Sequence, residues 1–291
     1  MRQPEIHHQA EELASTLPPL LVAADRVATT VSQGVHGRRR VGQGETFWQF
    51  RRYQPGDPVQ IIDWRQSAKS QPVYVREHEW EAAQSVWLWR DSSESMRYRS
   101  TESLPTKLHR ANLLVLALAS LLVRGGEHFT LLGSGVGPGT GRGMLQRMAA
   151  MVEDQRGPAT GLPPPEPLPR YGRVVLVGDF LAPLEAIKEA IERLAGYGIQ
   201  GHLLQVLDPA EEALPFMGRA RFEGMEGEGD VLIGKVEGVR VEYHRLLASH
   251  RRGLEGLAQT AGWTLAAHRT DHPPEAALLA LFLALSMMPG R

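Results

Sequence analysis

From Ser85 onward, short apolar runs rich in β-branched and aromatic residues alternate with helix-length periodic segments, and this alternation constrains the fold more than any other feature. Val86–Trp89, His128–Leu132, Arg173–Phe180, Gly201–Leu207 and Trp263–Ala267 read as strands. Leu108–Val123, Met144–Val152, Ala186–Leu194, Tyr243–Thr260 and Glu275–Met288 read as helices. Unbroken apolar strands suit positions buried on both faces. Strands alternating with helices predict a three-layer α/β fold on a mostly parallel sheet. Between the later elements, the Gly- and Glu-rich stretch Arg219–Tyr243 carries short β runs at Val231–Ile233 and Val239–Tyr243 and is expected to form an edge hairpin.

The first run ends abruptly in oxygen side chains. After V-W-L-W-R, Asp91, Ser93 and Ser95 follow at alternate positions. A carboxylate at the C-terminal tip of a buried strand, with two hydroxyls on the loop after it, is half a shell for a hard divalent cation such as Mg²⁺ or Mn²⁺. The carboxyl ends of strands are also where open α/β sheets bind ligands. The alternative is an ordinary Asp/Ser turn capping the next helix. The Arg173–Phe180 run repeats the theme, ending in a second carboxylate at Asp179. Neighbouring parallel strands present their tips side by side, so Asp91 and Asp179 are expected to share one crevice. Thr160, on a loop between the two strands, is a candidate fifth oxygen donor.

Upstream of residue 85 the pattern changes. Residues 5–33 read as helix, broken by Pro18-Pro19, which starts a second segment docked on the main core. Residues 37–82 read as a small Arg- and Trp-rich subdomain built around a Pro55-Gly56-Asp57 turn. In it Arg51, Arg52, Asp57, Asp63 and Arg65 are expected to pair over aromatic packing. The expected organisation is therefore a helical segment over 1–36, the subdomain over 37–82 and an α/β domain over 83–291.

Several function classes fall away. A net charge of −1 gives no general attraction to nucleic acid or anionic membrane, and the Gly37–Arg40 cluster reads as a solvated face. No cysteine is present, which removes disulfides, thiolate metal sites and Cys nucleophiles. Basic charge is mostly Arg, with Lys only at 69, 107, 188 and 235, a bias read as compositional. The N-terminus lacks the apolar core of a signal peptide, and Ala111–Val123 and Ala276–Met288 fall short of a membrane span, so a soluble cytoplasmic protein is expected. The glycines of Gly133–Gly143 match no phosphate-binding signature and read as a loop. His268, Asp271 and His272 follow no zinc-helix spacing. A metal-dependent hydrolase would need a base near Asp91; Glu94 is nearest in sequence and is expected to be solvated.

Two motifs resemble known families. Asp91–Ser95, D-S-S-E-S, is similar to the D-x-S-x-S motif of von Willebrand factor A-type domains. Their metal-ion-dependent adhesion site adds a Thr and a second Asp from later loops. Arg51–Lys69, R-x-Y-x-P-G-D-x-x-x-x-I-D-W-R-x-S-A-K, resembles the signature of the bacterial domain-of-unknown-function family fifty-eight, and His268–Leu281 resembles its C-terminus. The resemblance implies an A-type domain preceded by a small subdomain. It further implies a non-enzymatic, metal-dependent interaction module assisting a MoxR-type AAA+ ATPase. Carried onto this chain, the metal ligands are Asp91, Ser93, Ser95, Asp179 and Thr160, with Thr140 as rival to Thr160. The remaining coordination position takes an acidic side chain of a protein partner. The alternatives are a metal-dependent hydrolase and an A-type scaffold whose metal site is inactive.

Overall fold

The computed structural model describes residues 19–35, 47–52, 64–67, 69, 73–78, 85–153, 161–170 and 172–286. Thr160, the Gly37–Arg40 cluster and the Pro55-Gly56-Asp57 turn lie outside them, as do the side chains of the expected Arg–carboxylate pairs. The chain divides into two compact units, residues 38–84 and residues 1–37 with 85–291.

In the smaller unit β1 (Phe47–Arg52) pairs antiparallel with β2 (Tyr74–His78), with an irregularity between Phe47 and Gln49. One helical turn, Trp64–Ser67, precedes β2 and is tied to it where Tyr74 N–H donates to Ser67 Oγ at 2.8 Å. β2 falls within Val73–Trp80, V-Y-V-R-E-H-E-W, which the sequence alone reads as a strand.

The larger unit is the expected α/β fold. Chain order gives β3 (Val86–Arg90), β4 (Phe129–Leu131), β5 (Arg173–Gly178), β6 (Gln200–Leu207), β7 (Ala220–Glu223), β8 (Asp230–Ile233) and β9 (Thr264–Arg269). The main sheet has five strands in the order β4-β3-β5-β6-β9, all parallel. Side chains alternate between its faces, as a strand period of two requires. Val86, Leu88, Val175 and Val177 join the core formed with the helices Lys107–Gly125, Gly141–Glu153, Pro19–Val35 and Pro274–Ser286. Trp87, Trp89, Val174 and Leu176 face the opposite core, with the helix Leu184–Ala195 and the C-terminal half of Val236–Thr260. Helices on both faces explain the unbroken apolar runs Val86–Trp89 and Val174–Val177.

Lys107–Gly125 is the central helix. Thr106 caps its start by accepting from His109 N–H at 3.1 Å, and Gly126, at φ +71°, ends it in the left-handed conformation. At 19 residues it is long and apolar enough to cross a membrane by composition, a length the sequence reading had underestimated. Most of it is buried inside the fold, between the sheet and the helices Pro19–Val35 and Pro274–Ser286. Asp25 fastens Pro19–Val35 to it by accepting from Ser120 Oγ at 2.8 Å and Arg124 at 2.9 Å.

The structure corrects the reading of Arg219–Tyr243. β7 and β8 do form an antiparallel hairpin, but as a separate two-stranded sheet rather than an edge of the main one. Val239–Tyr243 is helix, part of the 25-residue Val236–Thr260. Alternating V-R-V-E-Y imitates a strand, yet tertiary contacts decide the matter. Val236 is fully buried, Glu237 accepts from Gly218 N–H at 2.9 Å, and Arg240 donates to the carbonyls of Leu214 and Phe216.

Candidate metal centre

The register of the sheet puts the two sequence-identified carboxylates together. Arg90 pairs with Val177, and Asp91 N–H donates to Val177 O at 2.8 Å, so β3 and β5 end side by side. Asp91 and Asp179 are both buried there, as is Ser93. Ser95 Oγ donates to Asp179 Oδ2 at 2.7 Å and lies 3.1 Å from Ser93 Oγ. The four side chains therefore form one oxygen cluster at the C-terminal rim of the sheet.

Backbone geometry fixes each member. Asp91 Oδ1 accepts from Ser93 N–H at 2.8 Å, the Asx-type turn that the alternative reading anticipated. The hydroxyl of Ser93, in contrast, makes no capping bond to the 3₁₀ turn Glu94–Arg97 that it precedes. Gly178 makes room for Asp91: a Cβ there would lie 2.9 Å from Asp91 Cβ and 3.2 Å from Asp91 Oδ2. Beyond Asp179, Phe180 adopts φ +50°, a conformation uncommon outside glycine. That bend lets Leu181 N–H reach Asp179 Oδ1 at 3.2 Å; Phe180 itself is buried, its ring 6.4 Å from that of Trp89.

Asp91 Oδ2 carries the chemical information. It is buried and has no hydrogen-bond partner among the described residues. An unpaired carboxylate oxygen in the interior is expensive, which is why most such groups have partners. Burial pushes the Asp91 carboxyl up to about 6; Ser93 offsets part of this, while Asp179 and Glu226 add repulsion. Arg90 feels the Asp91 charge but donates to Val152 O, and a divalent cation would add counter-charge at the unpaired oxygen itself. Among the described residues no group of three or more His, Asp or Glu is gathered as a metal cage. The donors present are two carboxylates and two hydroxyls, a set that suits a hard cation retaining some of its water. The residues fit Mg²⁺ or Mn²⁺.

Sequence reasoning missed the cation already in the site. Lys107, fully buried, donates to Asp179 Oδ2 at 2.9 Å and to Glu211 Oε1 at 2.5 Å. Burial alone would lower its pKa, but Asp179 and Glu211 outweigh burial and raise it, so the ammonium persists. Glu211 Oε2 accepts from Asp208 N–H at 2.8 Å, and buried Asp208 accepts from Ala210 and Ser100 N–H groups. Lys107 is one of four lysines in the chain, and this scarcity, read as compositional bias, was the only signal available. With Lys107 counted, the carboxylates of Asp91, Asp179 and Glu211 still leave the site negative.

The two threonines separate cleanly. Thr140 follows Gly139, which exchanges backbone hydrogen bonds with Phe129 at the start of β4. Phe129 is in register with Val86, at the opposite end of the sheet from Asp91, so Thr140 is excluded as a ligand. For Thr160 only its neighbour is described: a Cβ on Gly161 would lie 3.7 Å from Asp91 Oδ2 and 3.9 Å from Ser93 Oγ. Glu94, the nearest base by sequence, is exposed and paired with Arg97 at 3.1 Å, as expected of a solvated residue.

A parallel sheet between two helical layers, with Asp91, Ser93 and Ser95 following β3 at the C-terminal rim, makes this unit a three-layer α/β domain. The chain belongs to the family described as "Protein of unknown function DUF58", whose profile matches residues 49–253 and stops short of His268–Leu281. Uncharacterized proteins of Mycobacterium bovis and Mycobacterium tuberculosis are each 25% identical over 279 residues, 89% of this chain and 86% of theirs. Among solved structures, an aerotolerance-related membrane protein from Bacteroides fragilis is 16% identical with a TM-score of 0.40, covering 70% of this chain and 100% of its own. BatB from Bacteroides thetaiotaomicron, also 16% identical, gives 0.36 over 70% of this chain and 97% of its own. The VWA domain of SpRpn10, 8% identical, gives 0.29 over 68% and 95%.

Proposed function

We propose that this protein is a metal-dependent protein-interaction module in which the metal bridges rather than catalyses. Mg²⁺ or Mn²⁺ is held by Asp91, Ser93, Ser95 and Asp179, with Thr160 joining directly or through water. The cation leaves one position for an acidic side chain of a protein partner. The observation that carries this reading is the buried Asp91 Oδ2, without a hydrogen-bond partner among the described residues, beside Ser93 and Gly161. When bound, the cation supplies charge compensation and a coordination position; the protein supplies a rigid oxygen cluster. Asp91 and Asp179 bring charge, Ser93 and Ser95 orient their hydroxyls through one another, and Lys107 holds Asp179 in place. The candidate partner class, implied by the family resemblance, is a MoxR-type AAA+ ATPase or its client.

Surface plasmon resonance with a MoxR-type ATPase from the same genome tests this. Binding in Mg²⁺ should be lost in EDTA and in Asp91→Ala and Ser93→Ala. Equal binding under all these conditions would rule out a metal bridge.

A further inference from the structure

A further carboxylate stands at the mouth of the site, and it comes from this chain. Ser95 N–H, within the D-x-S-x-S motif, donates to Glu226 Oε1 at 3.4 Å, across 131 positions of sequence. Glu226 lies on the tip joining β7 to β8, G-M-E-G-E-G over residues 224–229, and is exposed. The same carboxylate contributes to the repulsion felt by Asp91, although nothing basic holds it there among its described contacts.

The tip is shaped to present this side chain. Gly224 N–H donates to Gly229 O at 2.7 Å, closing the loop, while Gly227 and Gly229 adopt φ +90° and +82°. A Cβ on Gly224 would lie 2.6 Å from Glu228 Oε2 and 2.7 Å from the Gly229 carbonyl oxygen, so the closure depends on glycine. Glu228 folds back and accepts from Glu226 N–H at 2.9 Å, spending its carboxylate inside the loop. Glu226 is left to reach across to Ser95. Further down, Arg221 binds Asp230 across the strands, and Phe216 meets Phe222 edge-on at 5.7 Å, which secures the hairpin's base.

An exposed glutamate drawn towards two buried carboxylates is electrostatically unfavourable even with Lys107 in place, because Lys107 is shared between Asp179 and Glu211. It becomes favourable when a divalent ion sits between them. We propose that Glu226 is an internal acidic ligand for the open face of the metal, binding directly or through a coordinated water, and that the hairpin thereby occupies the position a partner's carboxylate must take. This rests on the metal reading above, with Asp91 Oδ2, unpartnered among the described residues, as its independent support. The partner is then an acidic segment that competes with residues 224–229, and binding it frees the hairpin.

Mn²⁺ titration calorimetry on the full chain tests the proposal, comparing wild type with Glu226→Gln, Glu223→Gln as a control on the same hairpin, and Asp91→Ala. Glu226→Gln should weaken Mn²⁺ binding about tenfold, the loss typical of a supporting metal contact, while Glu223→Gln stays near wild type. Hydrogen exchange supplies the second readout. Amides of residues 220–233 should gain protection on adding Mn²⁺ to wild type and not to Glu226→Gln. Unchanged affinity in Glu226→Gln with hairpin exchange indifferent to Mn²⁺ would overturn the internal ligand while leaving the metal site standing. Failure of the metal reading looks different: wild type takes up no Mn²⁺, or Asp91→Ala binds it as well as wild type, and the internal ligand falls with it.

Discussion

Replacing Asp91 with Asn separates a residue kept for function from one kept for stability. Burial moves the Asp91 carboxyl from 3.8 to about 6, which corresponds to about 3 kcal/mol of ionisation cost to the metal-free fold at pH 8. The sign follows from the direction: the folded state holds this proton more tightly than the unfolded chain. The stabilisation is therefore fully present below 3.8 and is lost as pH rises through about 6. Asn never ionises and preserves the acceptor for Ser93 N–H, which donates to Oδ1 at 2.8 Å. Its amide adds buried donors, so the net gain is expected at about 1–3 kcal/mol rather than the full amount. Urea unfolding in EDTA at pH 8 should thus show Asp91→Asn more stable than wild type. At pH 4, where the Asp91 carboxyl is largely protonated, the difference should vanish or reverse. In saturating Mg²⁺ at pH 8 wild type should gain stability and Asp91→Asn should not. A variant less stable than wild type in EDTA at pH 8 would refute the claim that Asp91 stands uncompensated.

The same carboxyl sets a pH limit on the metal: because Asp91 must be ionised to bind, Mn²⁺ affinity measured by calorimetry should fall about tenfold per pH unit below 6. Lys107→Met strands Asp179 and Glu211 in the interior and should destabilise the metal-free protein by about 3–5 kcal/mol in urea titrations, with partial rescue by Mg²⁺. Gly178→Ala places a methyl group 2.9 Å from Asp91 Cβ, so it should weaken Mn²⁺ binding at least about tenfold while far-ultraviolet circular dichroism stays unchanged. Thr140→Ala, at the far end of the sheet, should leave Mn²⁺ affinity as in wild type.

The sheet was legible because strands covered on both faces are written as unbroken apolar runs, and Val86–Arg90 and Arg173–Gly178 carry little else. Asp91, Ser93, Ser95 and Asp179 were legible for a related reason: polar residues that end such runs have little to do in the core. Lys107, Glu211 and Glu226 were not. They reach the site from a helix start, a short helix after β6 and a hairpin tip, and only the fold determines that these meet. Gly178 could be read as part of the Arg173–Phe180 strand but not as the clearance for Asp91, since its neighbour is set by strand register. Val239–Tyr243 failed because period-two alternation is also compatible with a helix whose first turn is pinned by the Leu214–Gly218 loop.

Mg²⁺ and Mn²⁺ titration calorimetry on wild type beside Asp91→Ala, at pH 7.5, reads out whether the oxygen cluster holds a metal. Wild type should bind about one equivalent of cation and the variant none. Wild type that takes up neither cation at millimolar concentration, or a variant that binds as wild type does, would contradict it.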